Sequence, residues 1–562
     1  MRRRILALVL ALAMLMTMLT GCGGAGKTAS ADSTAAAGEQ LDAEQYLNVS
    51  LGAEPMSMDS VRASDQYSGF VLNEIFEPLT RLGEDENLKN FIEPAGAEKW
   101  EQSADGLTWT FHLRENKWSD GKVVTAGDYE YGIKRVLDPK SGAPYSFLLM
   151  PIKNAAKVNK GELPVDQLGV KAVDDKTLVI NLETPSAYFL NLTYQSAMFP
   201  QRKDIVEKSG EKYGTEVETM VFCGPFFMKA WNHNSEIVIE KNPNYWDSKT
   251  VKLSNINFKI IKEENALYNS LESGAIDTLG VTKPEWVEKF SKNEKLKKDT
   301  LGLPSTYFAF YNHKDKLFSN ANVRKAFTLG IKREEMANVI FYGMNEPGYG
   351  WVPKTMMIGD KEYRGEVKEP LRVLAEENKD PKALLAKGLA ELGMDTDTTK
   401  LTVKFTLGST NQRMKTIGEY YQQMYKETLG VNLEIEQLDW PIFMEKAAKH
   451  EFQMSYMAWG ANFNDPICMM DLLKSDANSI YTGWGNPKYD ELINKAAASV
   501  DQAERLELFR QAETILLHDE AVLAPVAYPR TNAFTYKYAK KLGLTAFGTV
   551  GFKYAYTSGR GK

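Results

Sequence analysis

The chain has 562 residues, 43% of them hydrophobic and 25% charged, the balance of an ordinary soluble protein long enough for two or three domains. Its net charge of −6 and the lack of any basic stripe argue against nucleic acid as a partner. The five histidines (112, 233, 313, 450 and 518) form no metal-spaced pair, and no serine sits in a nucleophile elbow, so no metal, cofactor or catalytic residue is expected.

The N-terminus carries the clearest signal. Arg2-Arg3-Arg4 is a basic leader, and Ile5 to Leu19 is an apolar run that suits a signal peptide better than a membrane span. Leu19-Thr20-Gly21-Cys22 resembles the lipobox of bacterial lipoproteins. That resemblance implies a signal peptide over 1–21, cleavage before Cys22 and lipid attachment at Cys22. The next residues, 22–45, begin rich in Ser, Ala and Gly and read as a flexible tether to a membrane surface. Gly21-Cys22-Gly23-Gly24-Ala25-Gly26-Lys27-Thr28 matches a P-loop pattern, but such a loop cradles phosphate only between a folded strand and a helix. Here a cleaved leader precedes it, so nucleotide binding is rejected. Whether Cys223 and Cys468 pair is left open by the sequence.

Leu47 to Leu51 alternates as a short strand, and Asp65 to Leu82 reads as a helix with Phe70, Leu72, Ile75, Phe76 and Leu79 toward one face. Leu107, Trp109, Phe111 and Leu113 alternate with Thr108, Thr110 and His112, a strand with one wet face. Lys117-Trp118-Ser119-Asp120-Gly121 is a tight turn, after which Thr125 caps a helix starting at Ala126, with Asp128 in its first turn. Further on, Asp380-Pro381 opens a helix that Gly393 stops. Strands over 401–407, 431–435 and 452–457 alternate with helices over 416–429 and 441–449. This β-α-β-α-β order predicts a mostly parallel, helix-covered sheet, and ligands bind such sheets at the carboxyl ends of the strands. The stretch Ala458-Trp459-Gly460-Ala461-Asn462-Phe463-Asn464-Asp465-Pro466 falls at such an end, so it reads as a pocket wall rather than a plain turn.

Trp109-Thr110-Phe111-His112-Leu113-Arg114, Lys117–Gly121 and Val124-Thr125-Ala126-Gly127-Asp128 together resemble the signature region of the peptide-type (family 5) extracytoplasmic solute-binding proteins of ABC importers, oligopeptide-binding lipoproteins. Phe76-Glu77-Pro78-Leu79, Cys223-Gly224-Pro225-Phe226, Lys241-Asn242-Pro243-Asn244-Tyr245-Trp246, Ser273–Asp277 and Asn322–Phe327 extend the likeness in order from about residue 46 to the end. The resemblance implies an α/β, two-lobe fold of the type II periplasmic-binding-protein kind, with hinged lobes and an extra inserted α+β domain. Mapped onto this chain, lobe I is 46–67, 200–308 and 530–562, the inserted domain 68–199 and lobe II 309–529. It also implies a non-enzymatic, monomeric receptor that encloses an extended oligopeptide between the lobes and delivers it to ABC permease subunits at the cell membrane.

By the same resemblance, Trp459 and Gly460 flank the ligand, Glu54 lies near its first residues, Tyr145 contacts it from the inserted domain, and Arg413 faces its carboxylate. Gly460 has a physical reason to be there, since the absence of Cβ lets another backbone approach. The departure is Asn462, where relatives that hold a free amino terminus commonly have Asp. An amide accepts a hydrogen bond but does not neutralise a buried ammonium. Either Asp465 or Glu54 supplies the charge, or the ligand presents no free amine there, or the ligand is not a standard peptide but a signalling peptide, metal chelate or glycan. An exported hydrolase is the alternative of another class.

Overall fold

The computed structural model describes residues 40–84, 90–477, 479–544, 547 and 550–561. The expected signal peptide, Cys22 and the P-loop-like stretch lie outside the described residues. Of the expected tether, Gln40–Gln45 is described and is tied to the C-terminus. The Asp42 N–H donates to the Thr557 carbonyl (3.0 Å), and the Asp42 carboxylate accepts from the Gly559 N–H (2.8 Å). Among the described residues no helix is long and apolar enough to cross a membrane.

The strand Tyr46–Leu51 alternates half-buried and buried residues and pairs in parallel with Asn255–Ile260. That sheet continues antiparallel through Glu236–Lys241 to Phe226–Asn232. Between the first strand and these partners the chain builds a separate antiparallel sheet, ordered Ala97–Gln102, Thr108–Leu113, Thr177–Asn181, Val170–Asp174. Trp109, Phe111 and Leu113 are its buried face, while Thr108, Thr110 and His112 stay half-exposed. Helix Ala126–Leu137 packs on this sheet, and the Thr125 N–H donates to Asp128 Oδ2 (2.9 Å), the reciprocal bond of a capped first turn. The helix expected over 65–82 runs only from Gln66 to Ile75, with Phe76 already extended. Pro78 explains the early stop, because it clashes with a helical conformation at Glu77 and has no N–H to offer the preceding turn.

The other large sheet has six strands in the order Glu346–Pro347, Leu523–Tyr528, Ser305–Tyr311, Met454–Gly460, Thr402–Leu407, Asn432–Gln437. Thr402–Leu407 is parallel to both its neighbours, the arrangement the β-α-β-α-β order requires, with helices Gln412–Thr428 and Trp440–Ala448 as crossovers. The sheet as a whole is mixed rather than mostly parallel. Ser305–Tyr311 runs antiparallel to Met454–Gly460 and to Leu523–Tyr528. Ser305–Tyr311 arrives directly from, and Leu523–Tyr528 runs directly into, a three-stranded sheet made of Thr278–Val281, Arg530–Tyr536 and Leu296–Gly302. The chain thus enters the six-stranded lobe at Leu303-Pro304 and leaves it at Pro529. Leu303 N–H donates to the Pro529 carbonyl (2.9 Å), so the two crossings are bonded to each other where the prolines, lacking N–H, interrupt the ladders. This is a two-stranded hinge between lobes.

Glu74, on the helix Gln66–Ile75, is fully buried. Its Oε1 accepts the Phe552 N–H (3.2 Å), and its Oε2 has no hydrogen-bond partner among the described residues. Burial pushes this carboxyl up to about 7, against the opposing pull of the Arg81 guanidinium. A carboxyl whose folded value is raised stabilises the fold below its ordinary value near 4.5, and loses that contribution as pH climbs through 7. Glu74→Gln should therefore gain stability relative to the wild type between pH 4.5 and 7, reaching about 3 kcal/mol at pH 8. Urea unfolding midpoints of both proteins across that range check this, and a pH-independent difference would contradict it.

Candidate functional site

The strand Met454–Gly460 pairs over its whole length with Ser305–Tyr311, from Tyr311 opposite Met454 to Ser305 opposite Gly460. On its other side Thr402–Leu407 reaches only Met454, Ser455 and Tyr456. Met457 to Gly460 therefore carry backbone groups on one edge with no strand beside them, at the carboxyl end of the parallel set. The strand runs on through Trp459 and Gly460, residues that the sequence pattern placed beyond its end. Pairing across the sheet holds them extended, an effect that local turn composition does not report. The Ser305 hydroxyl donates to the Trp459 carbonyl (2.8 Å), and the Ala461 N–H donates to the Pro304 carbonyl (2.7 Å), so this strand end is pinned to the hinge.

Trp459 is half-buried and Gly460 exposed. A Cβ at Gly460 would meet nothing of the protein nearer than Pro304 O at 4.0 Å, so the space it leaves opens outward. In the neighbouring strand, the residue after Leu407 is Gly408. A Cβ there would fall 2.8 Å from Phe443 and 2.9 Å from Trp440. Trp440 itself is 50% exposed, with its ring centroid 5.4 Å from that of Phe443. An aromatic wall therefore stands beside the unpaired edge. Sequence reasoning missed Trp440, taking this segment only as a short helix. A tryptophan at the first turn of a helix that follows a strand's carboxyl end was the available signal.

Asn462 is exposed. Its backbone is fully used: its N–H donates to Cys468 Sγ (3.2 Å), and its carbonyl accepts from Gln195 Nε2 (3.1 Å). Asp465 is buried, and Arg505 grips it bidentately at 2.8 and 2.7 Å. Its Oδ1 also accepts the Ile467 N–H (3.0 Å). Arg505 is itself fully buried and is held further by the Ala496 carbonyl (2.9 Å) and the Gln502 amide oxygen (3.0 Å). Both oxygens of Asp465 are thus committed inside the lobe, where they fix the turn that follows the edge. Cys223 and Cys468 are both free; burial raises the Cys468 thiol to about 11, leaving it a neutral acceptor beneath the loop.

The remaining expected residues lie elsewhere. Glu54 accepts from the Trp231 indole (2.8 Å) and the Asn234 N–H (2.7 Å), and it lies 2.8 Å from His233 Nδ1. The hydrogen bond with Glu54 raises the His233 imidazole above its ordinary value. The Tyr145 hydroxyl donates to the Ser64 carbonyl (3.1 Å), and burial raises it above its ordinary value. No hydrogen bond among the described residues links Glu54 or Tyr145 to the Met454–Asp465 unit. Arg413 is exposed in the first turn of Gln412–Thr428, close enough for its charge to act on the Tyr456 hydroxyl. That hydroxyl is buried with no hydrogen-bond partner among the described residues, and burial holds it well above its ordinary value. Among the described residues no group of three His, Cys, Asp or Glu side chains could hold a metal ion.

Residues 92–481 match the family described as bacterial extracellular solute-binding proteins, family 5 Middle. This chain belongs to that family. It is 35% identical to the dipeptide-binding protein DppE of Bacillus subtilis over 518 residues, 91% of each chain. With the oligopeptide-binding protein OppA of the same organism it shares 32% identity over 96% of this chain and 95% of the relative. Its fold superposes on the crystal structure of the substrate-binding domain of an oligopeptide ABC transporter from Bacillus anthracis with a TM-score of 0.72. That structure is 32% identical, and the match covers 92% of this chain and 100% of the other. The two-lobe α/β architecture of type II binding proteins is therefore the architecture of this one.

Breaking one side of a buried ion pair leaves the other charge without compensation. Asp465→Asn should lower stability by about 3–5 kcal/mol, while a paired Asp465→Leu, Arg505→Met replacement loses much less. Thermal and urea unfolding of the three proteins measure the difference.

Proposed function

We propose that this protein is an extracytoplasmic receptor that captures oligopeptides in extended conformation between its two lobes and passes them to an ABC import permease. The observation that carries this reading is the unpaired backbone edge of Met457–Gly460. Such an edge binds another main chain by strand addition, which gives affinity without reading side chains. The relatives named for dipeptides and oligopeptides, with their near-complete coverage, support the same class of ligand. Trp459 and Trp440 would contact the side chains that project on either side of the added strand. Asn462 would offer its amide at the end of that strand, and exposed Arg413 a cation beyond it. Glu54 and Tyr145 would act from the first lobe and the inserted domain. Asp465 would serve by holding the loop through Arg505.

On this reading lobe I comprises 46–67, 200–308 and 530–562, the inserted domain 68–199 and lobe II 309–529. The protein acts as a monomer and performs no catalysis. A ligand that binds only the folded state stabilises it by RT ln(1 + [L]/Kd), about 2.7 kcal/mol at a hundredfold excess over Kd. Peptide pools of two to ten residues should therefore raise the unfolding temperature and be recovered intact. No shift at any length would refute peptide capture, and cleaved peptide would indicate an enzyme.

Membrane attachment would follow from cleavage before Cys22 and acylation of its sulfur, with residues 22–39 as the remaining tether. Cys22→Ala should move the protein from the membrane fraction to the medium or periplasm, as immunoblotting of cell fractions would register. Retention of the variant at the membrane would exclude the lipid anchor.

A further inference from the structure

The loop that follows the proposed binding edge does not end its contacts within its own lobe. Inside the lobe, Asp465 is held by Arg505, the Asn462 N–H by Cys468 Sγ, and Asn464 Oδ1 accepts the Met357 N–H (2.8 Å). What the loop presents outward is the Phe463 ring and the Asn462 carbonyl, and the inserted segment takes both. The Tyr188 ring stacks on Phe463 with centroids 5.3 Å apart and planes 11° from parallel. Gln195 Nε2 donates to the Asn462 carbonyl (3.1 Å). A third approach lies nearby in the chain: a Cβ at Gly106 would sit 3.1 Å from Pro185 and 3.4 Å from Val500 Cγ1, and Val500 belongs to the six-stranded lobe.

Tyr188 and Gln195 precede the strand Phe226–Asn232, whereas Phe463 and Asn462 lie within the chain that enters the second lobe at Leu303-Pro304 and leaves it at Pro529. Rotation about that hinge would part the two rings. Phe463 is only 8% exposed, so parting them would put an apolar ring into water.

We infer that Tyr188 and Gln195 form a clasp on the Phe463 loop that holds the lobes closed and positions the Met457–Gly460 edge without touching the ligand. They are positioning residues. The effect on peptide retention rests on the capture reading proposed above, whereas the effect on closure does not. Aromatic stacking of this kind is worth roughly a two- to tenfold change in the ratio of closed to open molecules.

The test separates the two parts. In peptide-free full-length protein, small-angle X-ray scattering reports opening, and hydrogen–deuterium exchange reports protection of the Phe463 and Asn464 amides. Tyr188→Ala should increase the radius of gyration and speed exchange at those amides about two- to tenfold, with the paired amides of Met454–Tyr456 unaffected. Tyr188→Phe keeps the stack and should behave as wild type. If Tyr188→Ala does not fold, Phe463→Leu probes the same contact from the other lobe. With a dye-labelled pool of random hexapeptides, Tyr188→Ala should dissociate faster by the same factor. Wild-type scattering and loop exchange in a folded Tyr188→Ala or Phe463→Leu would overturn the clasp. Failure of every variant and the wild type to bind the pool, with closure still responding, would overturn peptide capture and leave the clasp standing.

Discussion

The pairing of Ser305–Tyr311 with Met454–Gly460 is the interaction on which the rest of the molecule depends. Its seven-residue register is longer than the three-residue register that Thr402–Leu407 makes on the opposite side. The mismatch leaves four residues of one strand extended yet unpaired on one edge. Because Ser305–Tyr311 continues directly from Leu296–Gly302 in the other lobe, the same pairing also joins the candidate site to the hinge. The bonds from Ser305 Oγ to Trp459 O and from Ala461 N to Pro304 O put the two in direct contact. A movement at the hinge is therefore felt at the strand end without any intervening chain of side chains.

Charge around that strand end is arranged to hold geometry. Asp465 and Arg505 satisfy each other at two oxygens and leave no free carboxylate there. Away from that strand end, Glu54 has its oxygens taken by Trp231, Asn234 and His233. With Asp465 engaged, what the proposed edge would offer a ligand is mainly backbone, aromatic surface and the amide of Asn462. An ammonium held there by the Asn462 amide alone would lack a counter-charge, and desolvating an unpaired charge costs several kcal/mol (order of magnitude). Main-chain groups of a peptide suffer no such penalty, since each finds a hydrogen bond.

Much of the architecture was legible in local sequence because local physics decides it. Thr125 with Asp128 announced a helix at Ala126. Asp380, Pro381 and Gly393 bracketed another, and Gly393 takes the left-handed conformation (φ 66°) that a helix stop favours. Alternation at Trp109, Phe111 and Leu113 marked a one-faced strand correctly. Pro78 was visible in the sequence, yet its power to end the preceding helix at Ile75 was outweighed by an apolar stripe that continued past it. The mixed character of the six-stranded sheet was invisible, because antiparallel partners 143 to 155 residues away in sequence leave no trace in the pattern of either strand.

The candidate site divides the same way. Trp459, Gly460, Asn462 and Asp465 fall within seven residues, and their chemistry pointed to a strand's carboxyl end. Arg505, Trp440 and the pair Tyr188 and Gln195 come from three separate segments and carry no local mark of their roles. By itself the sequence determined the strand–helix alternation over 401–457 and the segment where binding is proposed, while its family resemblance carried the two-lobe fold. The first two follow from periodicity and capping, which act within a few residues. Tertiary structure alone decided that Asp465 is a structural anion, that the edge beyond Tyr456 is unpaired, and that the inserted segment grips the loop. Each of these depends on which distant group arrives to satisfy a charge, a backbone edge or a ring, and distance along the chain does not encode distance in space.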